Sequence, residues 1–273
     1  MQNKIYPGLK NAIILCIILL GVQVLGGIII GIPMAIFEIS EESLFNGVGM
    51  ILISIISFGV VIFIGFKKSK KSFNEVFMFN NVSLYLWIST IIFMIGFVIL
   101  SSELDNLLQY VLPMPQLFQD LFQSLLVNEY IIISIILVGI IPAFVEEMLF
   151  RGVILSGFTQ NYSMKKSILL SALLFGLIHL NPWQFVTAFI VGIITAWLFI
   201  KTKSIILCVY IHLFNNILAV IALKFSNVLP IRGFNTAVIE HSFQPLWFNA
   251  IGLVFTAAGA FLLIKGIKKQ DAE

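Results

Sequence analysis

The stretch Ile131-Ile-Ile-Ser-Ile-Ile-Leu-Val-Gly-Ile-Ile-Pro-Ala-Phe-Val-Glu146-Glu147-Met-Leu-Phe-Arg151-Gly-Val-Ile-Leu155 has membrane-spanning length and carries two carboxylates and a guanidinium in an otherwise apolar run. An ionisable group near the centre of such a helix costs about 2.5 to 3.5 kcal/mol on insertion scales, so it faces protein or trapped water and marks a working site. Adjacent helical side chains stand about 100° apart, which separates Glu146 from Glu147. Glu147 and Arg151 are one turn apart with the acid N-terminal, the favourable i,i+4 order, and read as an ion pair. Glu146 is left on another face without a local cation, and a carboxylate held out of bulk water is a candidate general base. The competing reading makes all three charges one structural polar cluster.

The surroundings of this stretch fix the class. Of 273 residues, 60% are hydrophobic and 11% charged, with a mean hydropathy of +1.07. Soluble domains carry about 25% charged residues, so a soluble globular chain is excluded and an all-α polytopic transmembrane bundle is expected. Apolar segments of spanning length lie at roughly 11–36, 45–66, 84–101, 130–157, 166–180, 183–200, 204–223 and 246–265, which makes about eight spans. The fifth is short, and His179-Leu180-Asn181-Pro182 argues for a break there, because proline disfavours helix at the residue before it.

Lysines follow the even-numbered spans: Lys67, Lys68, Lys70 and Lys71, then Lys165 and Lys166, Lys201 and Lys203, and Lys265, Lys268 and Lys269. By the positive-inside rule these loops are cytoplasmic, and Lys4 and Lys10 put the N-terminus beside them. Glu38, Glu41, Glu42, Glu103 and Asp105 fall outside; the loop with Lys224 and Arg232 departs from the pattern, with Glu240 in partial compensation. The expected protein is multi-pass in the cell membrane with both termini cytoplasmic. The first span is too long, and too poor in small residues near a cleavage point, for a removed signal peptide.

Two short amphipathic stretches are expected. Leu117, Phe118, Leu121, Phe122 and Leu125 repeat at helical spacing opposite Gln116, Gln119, Asp120 and Gln123, either lying on the outer interface or packing on the bundle top. Phe73, Val76 and Phe77, within 73–79, anchor the loop after the first lysine cluster. Cys16 and Cys208 sit in different apolar spans and imply no disulfide. No soluble domain or repeat is visible, so residues 1–273 read as one membrane domain, and nothing points to a nucleic-acid partner.

Two of the three histidines lie in predicted spans, in Phe175-x-x-x-His179 and His212-x-x-x-Asn216, each pair on one helix face; His241 falls in an outside loop. A lone histidine on an apolar face is usually a hydrogen-bonded core residue, but two of them with an asparagine in the bundle that holds Glu146 favour a site. At 1.5 Å per residue, Glu146, His179 and His212 fall roughly 12 to 20 Å from the lysine-rich ends, so they can meet. A cavity open to that cytoplasmic side is expected to supply their water.

Glu146-Glu147-x-x-x-Arg151, Phe175-x-x-x-His179 and His212-x-x-x-Asn216 resemble, in order, the three motifs of the CAAX-protease and bacteriocin-processing (CPBP, or Abi) family of intramembrane endopeptidases. The likeness covers about residues 130–220, the expected catalytic core. It implies peptide-bond hydrolysis within the membrane on a membrane-associated peptide or protein. Glu146 and His179 would activate a water, His212 and Asn216 would stabilise the oxyanion, and Glu147 and Arg151 would support the site with Phe175. A carboxylate can take a proton from water, and amide or imidazole N–H groups can donate to a tetrahedral oxyanion.

Zinc stays open as a cofactor, because Glu146, His179 and His212 are also a catalytic ligand set with a free fourth position, with Cys208, one turn before His212, as a further ligand; the expectation is no obligatory metal. The other classes are a proton- or ion-coupled transporter, for which no paired inverted segments are visible, and a non-catalytic immunity or scaffold protein. Eukaryotic relatives in the family act on prenylated CAAX proteins and bacterial ones are linked to peptide maturation and bacteriocin immunity, so the substrate is left unassigned.

Overall fold

A computed structural model describes residues 5–38, 44–123, 130–235 and 242–270. Lys4, Glu41, Glu42, Leu125, Glu240 and His241, and with them parts of the charge pattern read above, lie outside the described residues. The described residues form helices and no strand: α1 (Leu9–Ile36), α2 (Leu44–Ser69), α3 (Phe73–Phe77), α4 (Leu84–Val111), α5 (Gln116–Gln123), α6 (Ile131–Asn161), α7 (Met164–Leu177), α8 (Pro182–Thr202), α9 (Ile205–Lys224) and α10 (Leu246–Gln270). Seven of these are long and apolar enough to cross a membrane. The fifth expected span is α7, whose 14 residues reach about 21 Å.

Helix starts follow capping chemistry. Asn181 accepts from the Gln184 backbone N–H ahead of Pro182, which is suited to the first helical turn because its missing N–H would be unpaired there. Ser83 and Ser204 cap α4 and α9 in the same way. Ser72 and Glu75 form a reciprocal capping box on α3, and the Ser72 hydroxyl and backbone N–H hold the Glu75 carboxyl below its ordinary range.

Helix α6 is the hub, touching α2, α3, α7, α8 and α9. Its buried apolar side chains Leu149, Phe150, Val153 and Ile154 join Leu15, Leu19 and Phe58 of α1 and α2, Phe77 of α3, and Phe175 of α7 in the main core. Helix α4 lies along α10, where Gly252 and Gly259 sit seven residues apart; a Cβ at Gly259 would stand 2.3 Å from the Phe93 backbone nitrogen, so the two backbones touch. Small residues at the seam are the membrane solution to helix packing, since lipid offers no hydrophobic drive to bring helices together.

The lysine-rich loops share one end of the bundle. Asn80 donates to the Lys203 carbonyl at 2.8 Å, Asn161 donates to the Ile5 carbonyl at 2.6 Å, and Gly266 of α10 stands against Tyr85 and Leu86 of α4. At the opposite end, α5 packs by Phe118 against Trp183, ring centroids 5.2 Å apart, and the Trp183 indole N–H donates to the Leu112 carbonyl at 2.8 Å. Of the two readings of this amphipathic stretch, the contact seen is the one with the bundle top.

Candidate active site

Pro142 shapes the segment that carries the glutamates. It offers no N–H, and its ring crowds the carbonyl four residues back, that of Val138. The backbone is wound as a π-helix over Ile135–Ile140, returns to α over Ile141–Glu147, and is π-wound again over Met148–Leu155. The Val138 carbonyl receives a side-chain donor instead: Asn216 Nδ2 bonds it at 2.9 Å. A proline in a membrane helix is tolerated when a neighbour satisfies the freed backbone in this way. The straight α-helix expected from sequence is thus replaced by two wide turns flanking Glu146 and Glu147, a form that recurs at functional sites.

Glu147 and Arg151 pair as expected, Oε2 to Nε 3.0 Å, both fully buried. Neither atom has a hydrogen-bond partner among the described residues despite that distance, so the attraction is Coulombic rather than a directed bond. Arg151 Nη2 also donates to the Thr195 hydroxyl and, at 3.3 Å, to the Gly192 carbonyl, and its guanidinium lies 4.6 Å from the Phe175 ring centroid. The other Glu147 oxygen, Oε1, is 3.2 Å from His212 Nδ1. A carboxylate engaged with a guanidinium is an acceptor, so the proton of that bond resides on His212 Nδ1.

His212 Nε2 is 4.0 Å from Glu146 Oε2, so this imidazole stands between the two glutamates. Glu146 does not face an unrelated direction, as the simple helical wheel suggests; it approaches the same ring from its other nitrogen. Its Oε2 is buried and has no hydrogen-bond partner among the described residues.

His179 lies in the turn just past the end of α7 rather than inside the span, and Leu180 then reverses the chain with a φ of +55°. Its Nδ1 is 2.9 Å from the Phe175 carbonyl, which can only accept, so Nδ1 is the protonated nitrogen and Nε2 of the neutral ring keeps its lone pair. Phe175 supplies more than that carbonyl. Its ring meets His179 and His212 edge-on at centroid distances of 5.4 and 5.6 Å while Arg151 covers its face.

Glu146, Phe175, His179, His212 and Asn216 line one cavity of about 570 Å³, with Glu147 and Arg151 buried behind it. Five polar lining residues escaped the sequence reading: Gln23 on α1, Ser54 on α2, Gln184 and Thr187 on α8, and Asn215 on α9, which donates to Asn216 Oδ1 at 3.1 Å. Gln23 carried a signal, a lone amide near the middle of an apolar span. The cavity is not on the lysine-rich side that was expected. Gln184 and Thr187 lie in the first two turns of α8, at the opposite end, and no lining residue comes from the lysine-rich ends. The count of 13 residues from Lys166 to His179 agrees with the short α7; what it leaves out is the side to which the cavity extends, which the polar residues Gln184 and Thr187 at the start of α8 mark.

No group of three His, Cys, Asp or Glu side chains among the described residues stands close enough to hold a metal ion, the set Glu146, His179 and His212 included. Cys208 is buried, with its thiol on the Thr195 and Ser204 carbonyls at 3.3 and 3.4 Å, and does not line the cavity.

No curated protein and no solved structure matches the chain. Residues 128–218 match a family described as Type II CAAX prenyl endopeptidase Rce1-like. The matched segment, a third of the chain, runs from just before α6 into α9 and holds all three motifs, so over that part the chain is similar to the Rce1-like endopeptidases, in agreement with the resemblance read from the motifs.

Proposed function

We propose that the chain is an intramembrane endopeptidase that hydrolyses a peptide bond of a membrane-associated peptide or protein with a water activated by Glu146. One observation carries this reading: Glu146 Oε2 is buried, without a hydrogen-bond partner among the described residues, on the wall of the cavity that His179, His212 and Asn216 also line. Glu146 takes a proton from the water, whose oxygen bonds to the scissile carbonyl carbon as the carbonyl electron pair moves to oxygen. His179 Nε2, left with a lone pair by the Phe175 bond, accepts the water's second hydrogen and fixes its direction. When the carbon–nitrogen bond breaks, the proton held by Glu146 passes to the leaving amine.

The oxyanion needs donors. Asn216 uses one N–H on the Val138 carbonyl and keeps the other for the cavity. His212 already spends its Nδ1 proton on Glu147, so it donates from Nε2 in the doubly protonated form, flanked by the two carboxylates. Each such donor contributes about 2.7 to 4 kcal/mol to a tetrahedral transition state.

The test is Glu146→Gln in a membrane-peptide cleavage assay, with detergent-extracted folding followed in parallel. The expected outcome is loss of cleavage with folding near wild type, since Gln keeps the shape and cannot act as base. Cleavage within a few-fold of wild type would return the charges to a structural cluster. The proposed steps involve no metal, and stoichiometric zinc lost together with activity in His179→Ala and His212→Ala would overturn them.

A further inference from the structure

The cavity and the lysines occupy opposite ends of the same bundle. Lys67, Lys68, Lys70 and Lys71 follow α2, Lys165 and Lys166 open α7, and Lys201 and Lys203 close α8, all at the end drawn together by the Asn80–Lys203 and Asn161–Ile5 bonds. Glu75 is the single acid among the described residues of these loops. The positive-inside rule assigns an end of this composition to the cytoplasm. The wall that rises from the catalytic residues leads the other way, along Thr187 and Gln184 to the start of α8.

That wall is built to be wetted or to bind polar chain. Gln23 sits near the middle of α1, and neither its amide nor the Thr187 hydroxyl has a hydrogen-bond partner among the described residues. Buried threonines elsewhere in the bundle bond back to their own helix: Thr90 to the Leu86 carbonyl, Thr195 to Val191 and Thr202 to Leu198, at 2.7 to 2.9 Å. Thr187, half-buried on the cavity wall, does not, and it shares this with Thr256 of α10, which does not line the cavity. Met50, Ile53 and Leu137 line the same cavity and offer apolar contact. A site with a few convergent polar groups on an apolar wall is what a small segment of ligand requires.

We infer that the substrate enters from the extracytoplasmic face as a short extended peptide segment whose backbone amides are held by Gln23 and Thr187, with Gln184 at the mouth. The assignment of a peptide rests on the endopeptidase reading; the direction of entry does not.

Labelling tests the direction without catalysis. Single-cysteine reporters Gln184→Cys and Lys68→Cys are expressed in intact cells and treated with a membrane-impermeant maleimide; native Cys16 and Cys208 are buried and serve as the blank. Gln184→Cys reacts from outside, and Lys68→Cys reacts once the membrane is permeabilised. Any other pattern overturns the inference, and the result is the same in a Glu146→Gln background, so failure of the catalytic reading is told apart. The holding role is then read in kinetics. Gln23→Leu and Thr187→Val raise KM about three- to tenfold, the equivalent of one lost hydrogen bond each, with kcat nearly unchanged. An unchanged KM in both variants removes these residues from the peptide path.

Discussion

Glu147 has two partners that draw on different oxygens, Arg151 on Oε2 and His212 on Oε1, so one buried carboxylate both balances a guanidinium and orients the His212 ring. Removing one member of a buried pair strands the other at about 3 to 5 kcal/mol. Glu147→Ala and Arg151→Ala are therefore each expected to lower stability and activity together, and the double mutant to lose less than the sum. A thermal-stability cycle with additive losses would show that the two are uncoupled. Asn216 both bonds the Val138 carbonyl and lines the cavity, where the proposed mechanism makes it an oxyanion donor. Asn216→Ala is expected to lower kcat by about 10² to 10³ with KM nearly unchanged. It should also cost roughly 0.5 to 1.5 kcal/mol of stability through the Val138 carbonyl, which a melting curve run beside the kinetics measures. The Glu147–Arg151 pair was legible in the sequence because i,i+4 spacing suffices for it. The Glu147–His212 contact was not, because it joins positions 65 apart and depends on which ring nitrogen carries the proton.

On the scale of one element, α6 shows why periodicity alone misdirects the two glutamates. A helical wheel separates Glu146 from Glu147 by about 100°, and that step stays α-wound, but one imidazole bridges it: His212 presents Nε2 at 4.0 Å to Glu146 and Nδ1 at 3.2 Å to Glu147. The wide winding just before the glutamates has its local cause in the sequence as Pro142, whose effect depends on whether a neighbour satisfies the carbonyl it frees. Pro142→Ala restores an N–H that competes for the Val138 carbonyl and favours regular α winding. The expected result is unchanged or raised thermal stability with cleavage reduced about 10²-fold, the scale of loss for a displacement of about 1 Å at a catalytic group. Reduced stability with unimpaired cleavage would mean that the wide turn is held by packing of α6 against α2 and α9 and not by the proline.

On the scale of the molecule, composition announced the bundle and the spacing of apolar segments located its helices, the short α7 among them, whereas the side on which the site lies depended on Gln184 and Thr187 at the start of α8, which carry no motif. That helix reaches about 21 Å, against a hydrocarbon core of about 30 Å, and begins at the lysine-rich end, so its far tip with His179 stops well short of the opposite surface. His179 lines the cavity, and the neighbouring long helices α1, α6 and α8 must meet a bilayer of ordinary thickness while α7 cannot. A thicker bilayer widens that disagreement, at a cost of fractions of a kcal/mol per Å. Reconstitution in phosphatidylcholines of increasing acyl length is thus expected to give the highest melting temperature and cleavage rate in the shorter-chain bilayers, with both falling together as the chains lengthen. The long helices can relieve mismatch by tilting, so a response carried by them alone would leave the site unaffected. Cleavage independent of chain length while the melting temperature falls would place the His179 end of the cavity away from lipid, on the side that α5 covers through its Phe118–Trp183 contact.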